Sequence, residues 1–231
     1  MAEMHGGCTV TRILRWCAVS TAVLFVGVAS ADVEYLFEDL DTQGSWRGVY
    51  GSSGGTIFDN GQLNGQNIPG QDNDQLIDGL LTEYVDGSGN RWNWLSASPD
   101  ERGLEFADEG VEDRIGACQY GNGPAALSFI VDADEYQIAV YFVDWDSSAR
   151  LMDISGYQGN APGDPDAVLE NPDFHEGVWH VWSVTGDEPF ELSVLDNGGA
   201  NWVVSGVFVD APQAVSATGK LSTAWAALKR N

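Results

Sequence analysis

Short runs of alternating apolar and polar residues, separated by turn residues, are the feature that most constrains the fold of this chain. Clear examples are Tyr136–Val143, Gly177–Val184, Phe190–Asp196 and Asn201–Val209. A period of two is typical of β-strands whose two faces meet different surroundings. The chain has 28 glycines, many of them between such runs, and the runs are not joined by the amphipathic helices that a parallel sheet needs. The sequence therefore predicts an all-β fold, an antiparallel β-sandwich.

Turn residues near the end of this region predict two hairpins. Thr185–Pro189 and Asp196–Ala200 are rich in Gly, Asp and Asn, and the pair Asn197-Gly198 is a strong local hairpin signal. A glycine inside a strand indicates a bulge or the close approach of another backbone. We therefore expect one of these features at Gly206.

The first 31 residues have the pattern of a signal peptide. Arg12 and Arg15 precede the apolar run Cys17–Ala29, and small residues follow at Ala29-Ser30-Ala31. A basic segment, a short apolar core and an A-x-A site are typical of a cleaved export signal. We expect the mature chain to begin at Asp32 and to be secreted, periplasmic or on the cell surface. An uncleaved N-terminal anchor is the alternative, and after cleavage we expect no membrane insertion.

The rest of the chain is predicted to form one domain with a tail. Residues 32–210 contain no Pro-rich or Ser-rich linker, whereas residues 211–231 form a separate segment. Within that tail Leu221, Trp225 and Leu228 follow the spacing of a short amphipathic helix. The predicted domain keeps a single cysteine, Cys118, which we expect to be a buried, small apolar residue. Such a chain relies on its core, because it has no second cysteine for a disulfide.

The net charge of the chain excludes some partners. The formal charge is −25 at pH 7, with 35 acidic residues against 10 basic ones. A surface with this charge repels phosphate backbones and anionic lipid head groups, so we expect no nucleic acid and no membrane surface as a partner. Such acidity serves solubility in most proteins, and in others some of the carboxylates bind Ca²⁺.

The stretch from Asp144 to Arg150 ends a strand with an aromatic residue between two acids. Three interpretations are open. Asp144 and Asp146 can cap a turn and pair with Arg150 across the hairpin, which makes the stretch a structural lock. The stretch can instead form the rim of a ligand site with Trp145 as a stacking platform. Paired catalytic acids are the third interpretation, which the close sequence spacing of the two acids disfavours.

The tryptophans divide into residues expected in the core and residues expected at the surface. Trp92 and Trp94 share one face of a strand, as do His180 and Trp182, and core packing is the expectation for each. Trp179 is out of phase with Trp182, so we expect it to be exposed and to join the ligand-binding candidates.

Metal-binding patterns in the sequence are weak. Asp72, Asp74 and Asp78 have the order of a calcium loop, but an apolar residue replaces one ligand and no glutamate closes the loop. His175 and His180 lack a third zinc ligand nearby. Calcium is thus the one cofactor that the sequence suggests, with these three aspartates as candidate ligands.

Five segments in order resemble a β-sandwich module found in secreted bacterial proteins. They include a G-x-W-x-G-x-Y-G opening, a D-W-D-x-x-x-R hallmark and a closing N-x-V-x-S-G-x-F segment. The resemblance implies a jelly roll of the galactose-binding type without a general catalytic role, with the D-W-D turn and Arg150 among its most distinctive residues. The segments are Gly44–Gly54, Arg91–Glu105, Glu112–Tyr120, Tyr136–Arg150 and Gly177–Asp210.

These observations lead to one functional expectation and two alternatives. We expect an exported, non-catalytic module that binds carbohydrate through Asp144, Trp145, Asp146, Arg150 and Trp179. The first alternative is a structural or adhesive surface protein that binds another extracellular protein. A glycoside-processing enzyme is a more distant alternative, and we assign no catalytic residue.

Overall fold

The described part of the chain is entirely β-structure. The computed structural model describes residues 32–59, 61–63, 66–67, 74–85, 89–159, 169–171 and 173–212. Within these ranges three antiparallel sheets and one small two-stranded ladder form, and no helix occurs. The predicted antiparallel sandwich is therefore confirmed. The predicted signal peptide and the helix expected in the tail lie outside the described residues. Across the described ranges, no helix has the length and apolar character needed to cross a membrane.

The strands are short, as their sequence runs predicted, and the longest of them, β7 and β15, have 9 residues each. In chain order they are β1 (Asp32–Asp39), β2 (Gly55–Ile57), β3 (Gln62–Leu63), β4 (Gln66–Asn67), β5 (Gln75–Ile77), β6 (Leu81–Val85), β7 (Asn90–Ser98), β8 (Leu104–Glu105), β9 (Arg114–Gly121), β10 (Pro124–Val131), β11 (Glu135–Phe142), β12 (Leu151–Gln158), β13 (Leu169–Asn171), β14 (Val178–Thr185), β15 (Phe190–Gly198), β16 (Trp202–Val204) and β17 (Gly206–Asp210).

Most of these strands belong to three sheets. The largest has six strands in the order β1-β14-β11-β17-β2-β5, and a five-stranded sheet has the order β13-β12-β15-β10-β6. The third sheet has the order β16-β9-β7, with β8 also paired to β9, and β3 pairs with β4 alone. All the recorded strand pairs are antiparallel.

The central strands of the six-stranded sheet, β14, β11 and β17, are buried on both faces. On β11, Ile138 and Val140 point into a large core shared with the five-stranded sheet. Their neighbours Ala139 and Tyr141 point into a second core on the opposite face. Successive residues of a strand face opposite ways, so a strand covered on both sides is apolar throughout. This arrangement explains the nearly continuous apolar run at the end of β11.

Two predicted hairpins are crossings between sheets. β14 lies in the six-stranded sheet and β15 in the five-stranded one, so the turn at Thr185–Pro189 spans the sandwich. The turn at Asp196–Ala200 likewise leads from β15 to β16 in the third sheet. The hairpin predictions were wrong because turn residues specify a reversal of the chain and not the sheet that receives the next strand. At Gly206 the predicted close approach is confirmed, since an added Cβ would lie 3.1 Å from the carbonyl oxygen of Thr56.

Candidate functional site

A pocket opens where the third sheet meets the loop that follows β11. Its volume is about 220 Å³, which is smaller than the roughly 300–1,000 Å³ of most small-molecule sites. The size fits a ligand of one or two rings. The lining residues are Trp92, Trp94, Cys118, Tyr120, Asp146, Arg150, Asn201 and Val203.

Strand register brings the apolar lining residues onto one face of the third sheet. Trp92 is opposite Cys118 on β9, and Val203 is opposite Tyr120. Trp94 lies at the register shift between Asn93 and Leu95, and it lines the pocket together with Trp92. The result is a row of aromatic and small apolar side chains along the pocket floor.

One tryptophan of this row is more exposed than the core packing expected from the sequence. Trp92 leaves 36% of its surface accessible, whereas Trp94 and Tyr120 are half-buried. Cys118 is fully buried, and burial raises the pKa of its thiol, so the group is a neutral, apolar part of the wall. The prediction of a buried Cys118 is confirmed.

Arg150 is the centre of the polar side of the pocket. Its Nη1 donates to Asp144 Oδ1 and, at 2.6 Å, to Asp146 Oδ1. Its Nε donates to Asn201 Oδ1 at 2.9 Å. Asp144 also accepts hydrogen bonds from the Ser147 hydroxyl at 2.9 Å and from the Arg150 backbone N–H at 3.2 Å. The sequence interpretation of a turn cap with a buried ion pair is therefore confirmed.

The two acids have different surroundings. Asp144 is 1% exposed, whereas the side chain of Asp146 is 52% exposed and faces the pocket. Burial alone would raise the pKa of Asp146, but hydrogen bonding and charge from Arg150, with a smaller effect of Trp94, hold it below its ordinary value. Burial alone would lower the pKa of Arg150. The hydrogen bonds and charges of Asp146 and Asp144 have the larger effect and raise it. Asp146 and Arg150 are thus both charged at neutral pH.

Several polar atoms of the pocket keep hydrogen-bonding capacity. Within the described part of the chain, Arg150 Nη2 and Asn201 Nδ2 have no hydrogen-bond partner. The hydroxyl of Tyr120 likewise has none among the described residues. Asp146 binds Arg150 through Oδ1 and also interacts with Trp94, and its half-exposed carboxylate keeps lone pairs for a further donor. The pocket therefore offers donors and an acceptor, already held in position, next to aromatic rings.

Trp145 does not form the exposed platform that the sequence suggested. Its ring stacks on Trp94 with centroids 6.3 Å apart and planes 14° apart. The guanidinium carbon of Arg102 lies 4.7 Å from the ring centroid. A Cβ added at Gly116 would lie 2.9 Å from the ring, so this glycine makes room for the indole. Trp145 is therefore a packing residue that supports Trp94 from behind the pocket.

The prediction that Trp179 is exposed was wrong. Trp179 is 0% exposed, and its indole N–H donates to the backbone carbonyl of Gln43 at 2.6 Å. It lies on β14, which pairs with β1 and β11 in a sheet covered on both faces. A residue out of phase with the first core points into the second core, so its side chain does not reach the surface. His180 and Trp182 are buried as predicted.

His175 fixes the Asp144–Arg150 loop from outside the pocket, a role that the sequence did not reveal. Its Nδ1 lies 2.7 Å from the carbonyl oxygen of Asp144 and 2.6 Å from that of Ser147. Its Nε2 lies 3.1 Å from Nη1 of Arg102, and Nη2 of the same arginine pairs with Asp100 at 2.7 Å. Because Nδ1 faces two carbonyl oxygens, it carries the ring proton and donates to them. Nε2 is then free to accept a hydrogen bond from Arg102. The ring thus ties the loop to the segment after β7.

The described residues show no metal site at the candidate calcium ligands. The Asp74 carboxylate accepts two hydrogen bonds from Arg91, at 2.7 and 2.6 Å, and one from the Tyr84 hydroxyl. Asp78 is exposed, and Asp72 lies outside the described residues. Throughout the described ranges, no group of three or more His, Cys, Asp or Glu residues is placed to bind a metal ion. Asp74 is instead the partner of a buried arginine.

Comparison of the chain with protein-family models, curated proteins and solved structures found no match.

Proposed function

We propose that this chain is an exported, non-catalytic module that binds carbohydrate in the pocket between the third sheet and the Asp144–Arg150 loop. The observation that carries the proposal is the placement of uncommitted polar atoms beside aromatic rings. Sugar rings present apolar C–H faces that stack on aromatic side chains and hydroxyls that both donate and accept hydrogen bonds. Trp92 supplies the exposed face, while Arg150, Asn201 and Asp146 supply the polar contacts. Trp94 forms part of the wall, with its ring stacked on Trp145 and the Arg150 guanidinium carbon 5.9 Å from its centroid.

The polar groups are held rigid before any ligand arrives, which favours binding. Arg150 is fixed by Asp144, Asp146 and Asn201, so it loses little conformational freedom on contact with a hydroxyl. The pocket is small, however, and buries little ligand surface. We therefore expect dissociation constants on the order of micromolar to millimolar.

The arrangement supports binding more than hydrolysis. Hydrolysis by the usual mechanism uses two carboxyl groups that flank one glycosidic bond. Asp146 alone of the two loop acids reaches the pocket, because Asp144 is 1% exposed and is not among the lining residues. The pocket also fits a small ring better than it fits the broad, flat contact typical of a protein partner.

A glycan array followed by isothermal titration calorimetry tests the proposal. The mature chain should bind at least one glycan, and Trp92→Ala should weaken that binding at least tenfold by removing the stacking face. Phe37→Ala is the matched control, since Phe37 is an aromatic residue of β1 that is 43% exposed and lies outside the pocket lining. Repeating the titration with EDTA and with calcium tests the remaining Ca²⁺ hypothesis. Unchanged binding in Trp92→Ala would contradict the proposed site.

A further inference from the structure

The ion-pair cluster on the polar side of the pocket carries an excess of negative charge. Two carboxylates, Asp144 and Asp146, share the guanidinium group of Arg150, so this cluster has a net charge of −1. Among the described lining residues Arg150 is the one cation. The nearby Arg102 does not change this balance, because its charge is paired with Asp100.

The uncommitted atoms define where a bound sugar would place its substituents. Arg150 Nη2 is the strongest available donor, and Asp146 lies on the neighbouring nitrogen of the same guanidinium. A sugar hydroxyl at Nη2 can accept from Arg150 and donate to Asp146. A sugar carboxylate there would instead bring a second negative charge beside Asp146 and could donate nothing to it.

From these contacts we infer that the pocket selects neutral or amino sugars and rejects acidic ones, and that Asp146 is the residue that sets this selectivity. The inference rests on the proposed carbohydrate-binding function and names its ligand class. A sugar carboxylate at this position is attracted to Arg150 but repelled by both Asp144 and Asp146, so the net charge of the cluster weakens its binding by roughly tenfold. An ammonium group on the sugar would be attracted to the half-exposed Asp146.

An array of neutral, amino, uronic-acid and sulfated oligosaccharides provides the first test. The wild-type chain should bind neutral or amino glycans and not the acidic ones. The best neutral glycan and its C6-oxidised uronic-acid form should then be compared by calorimetry in low salt. We expect the oxidised form to bind at least tenfold more weakly.

Two variants separate the role of Asp146 from a general charge effect. Asp146→Asn keeps an oxygen for Arg150 but removes the charge, and it should reduce the difference between the neutral and oxidised ligands to threefold or less. Asp187→Asn changes the net charge equally, but Asp187 is exposed in the turn between β14 and β15, at the other end of β11 from Asp146. It should leave the difference unchanged.

The results of these titrations distinguish failure of the selectivity inference from failure of the proposed carbohydrate binding. Preferential binding of acidic glycans by the wild-type chain overturns the selectivity inference while leaving carbohydrate binding intact. The selectivity inference also fails if Asp146→Asn and Asp187→Asn behave alike. Binding of no glycan refutes the proposed function itself, and the inference with it. If Asp146→Asn does not fold, the wild-type titrations are repeated in 500 mM NaCl. Screening by salt should reduce the difference in affinity between the neutral and the oxidised glycan. A difference that does not depend on salt contradicts the inference.

Discussion

Replacing Arg150 with alanine should be among the most damaging single changes in the Asp144–Arg150 loop. The side chain of Arg150 is 8% exposed, and that of its partner Asp144 is 1% exposed. The substitution leaves Asp144 buried with only a serine hydroxyl and a backbone N–H as donors. Removing one partner of a buried ion pair costs about 3–5 kcal/mol of unfolding free energy.

Differential scanning calorimetry at pH 7 compares the loss of stability in Arg150→Ala with that in a control variant, Arg47→Ala. Arg47 is half-buried, and its guanidinium donates to the neutral carbonyl of Phe106, so its loss should cost about 1 kcal/mol. Since 1 kcal/mol shifts Tm by about 2–4 °C in a chain of this size, we expect a fall of about 6–20 °C for Arg150→Ala and about 2–4 °C for Arg47→Ala.

A double-variant cycle sharpens the test. If the cost arises from a stranded carboxylate, Arg150→Ala combined with Asp144→Ala should be no less stable than Arg150→Ala alone. Equal Tm values for Arg150→Ala and Arg47→Ala, or additive losses in the double variant, would refute the buried-pair reasoning.

Three further predictions concern the same loop and the core. In urea titrations, Asp144→Asn should lower the unfolding free energy by about 3 kcal/mol and Asp146→Asn by less than about 1 kcal/mol, because only the Asp144 carboxylate is buried. Equal losses in the two variants would contradict this difference. Trp145→Ala should lower the unfolding free energy by about 2 kcal/mol in the same assay, since the ring contacts Trp94 and Arg102. An unchanged urea midpoint would favour the earlier interpretation of Trp145 as a ligand-stacking platform. Burial lowers the pKa of His180 to about 4 from 6.5, so the unfolded chain binds the extra proton and stability falls as pH drops through this window, by about 2 kcal/mol between pH 7 and 5. His180→Gln should remove that loss and His175→Gln should retain it; the opposite pattern would contradict the assignment.

Local patterns in the sequence predicted the sandwich and the Asp144–Arg150 ion pair for clear physical reasons. The period-two runs of β11 and β14 reflect side chains that alternate across a strand. The pairing of Arg150 with Asp144 and Asp146 spans only four to six residues, so turn geometry alone brings the groups together. These features depend on short-range constraints, which a single sequence contains.

The pocket depends on contacts that no local pattern specifies. Trp92 and Asn201 are more than one hundred residues apart in sequence and meet because β9 pairs with both β7 and β16. Trp179 was predicted at the surface because the sequence does not show that both faces of its sheet are covered. Gly116 could not be recognised as the space for Trp145 without the register that places the two together.

The central claim, that carbohydrate binds between the third sheet and the Asp144–Arg150 loop, is tested most directly by NMR of the tryptophan indole N–H groups. The chain from Asp32 onwards, labelled with ¹⁵N, should be titrated with the best neutral glycan from the array. The account predicts shifts of Trp92 and Trp94, with fully buried Trp179, Trp182 and Trp202 unchanged. Binding that shifts other signals while those of Trp92 and Trp94 stay in place would contradict it.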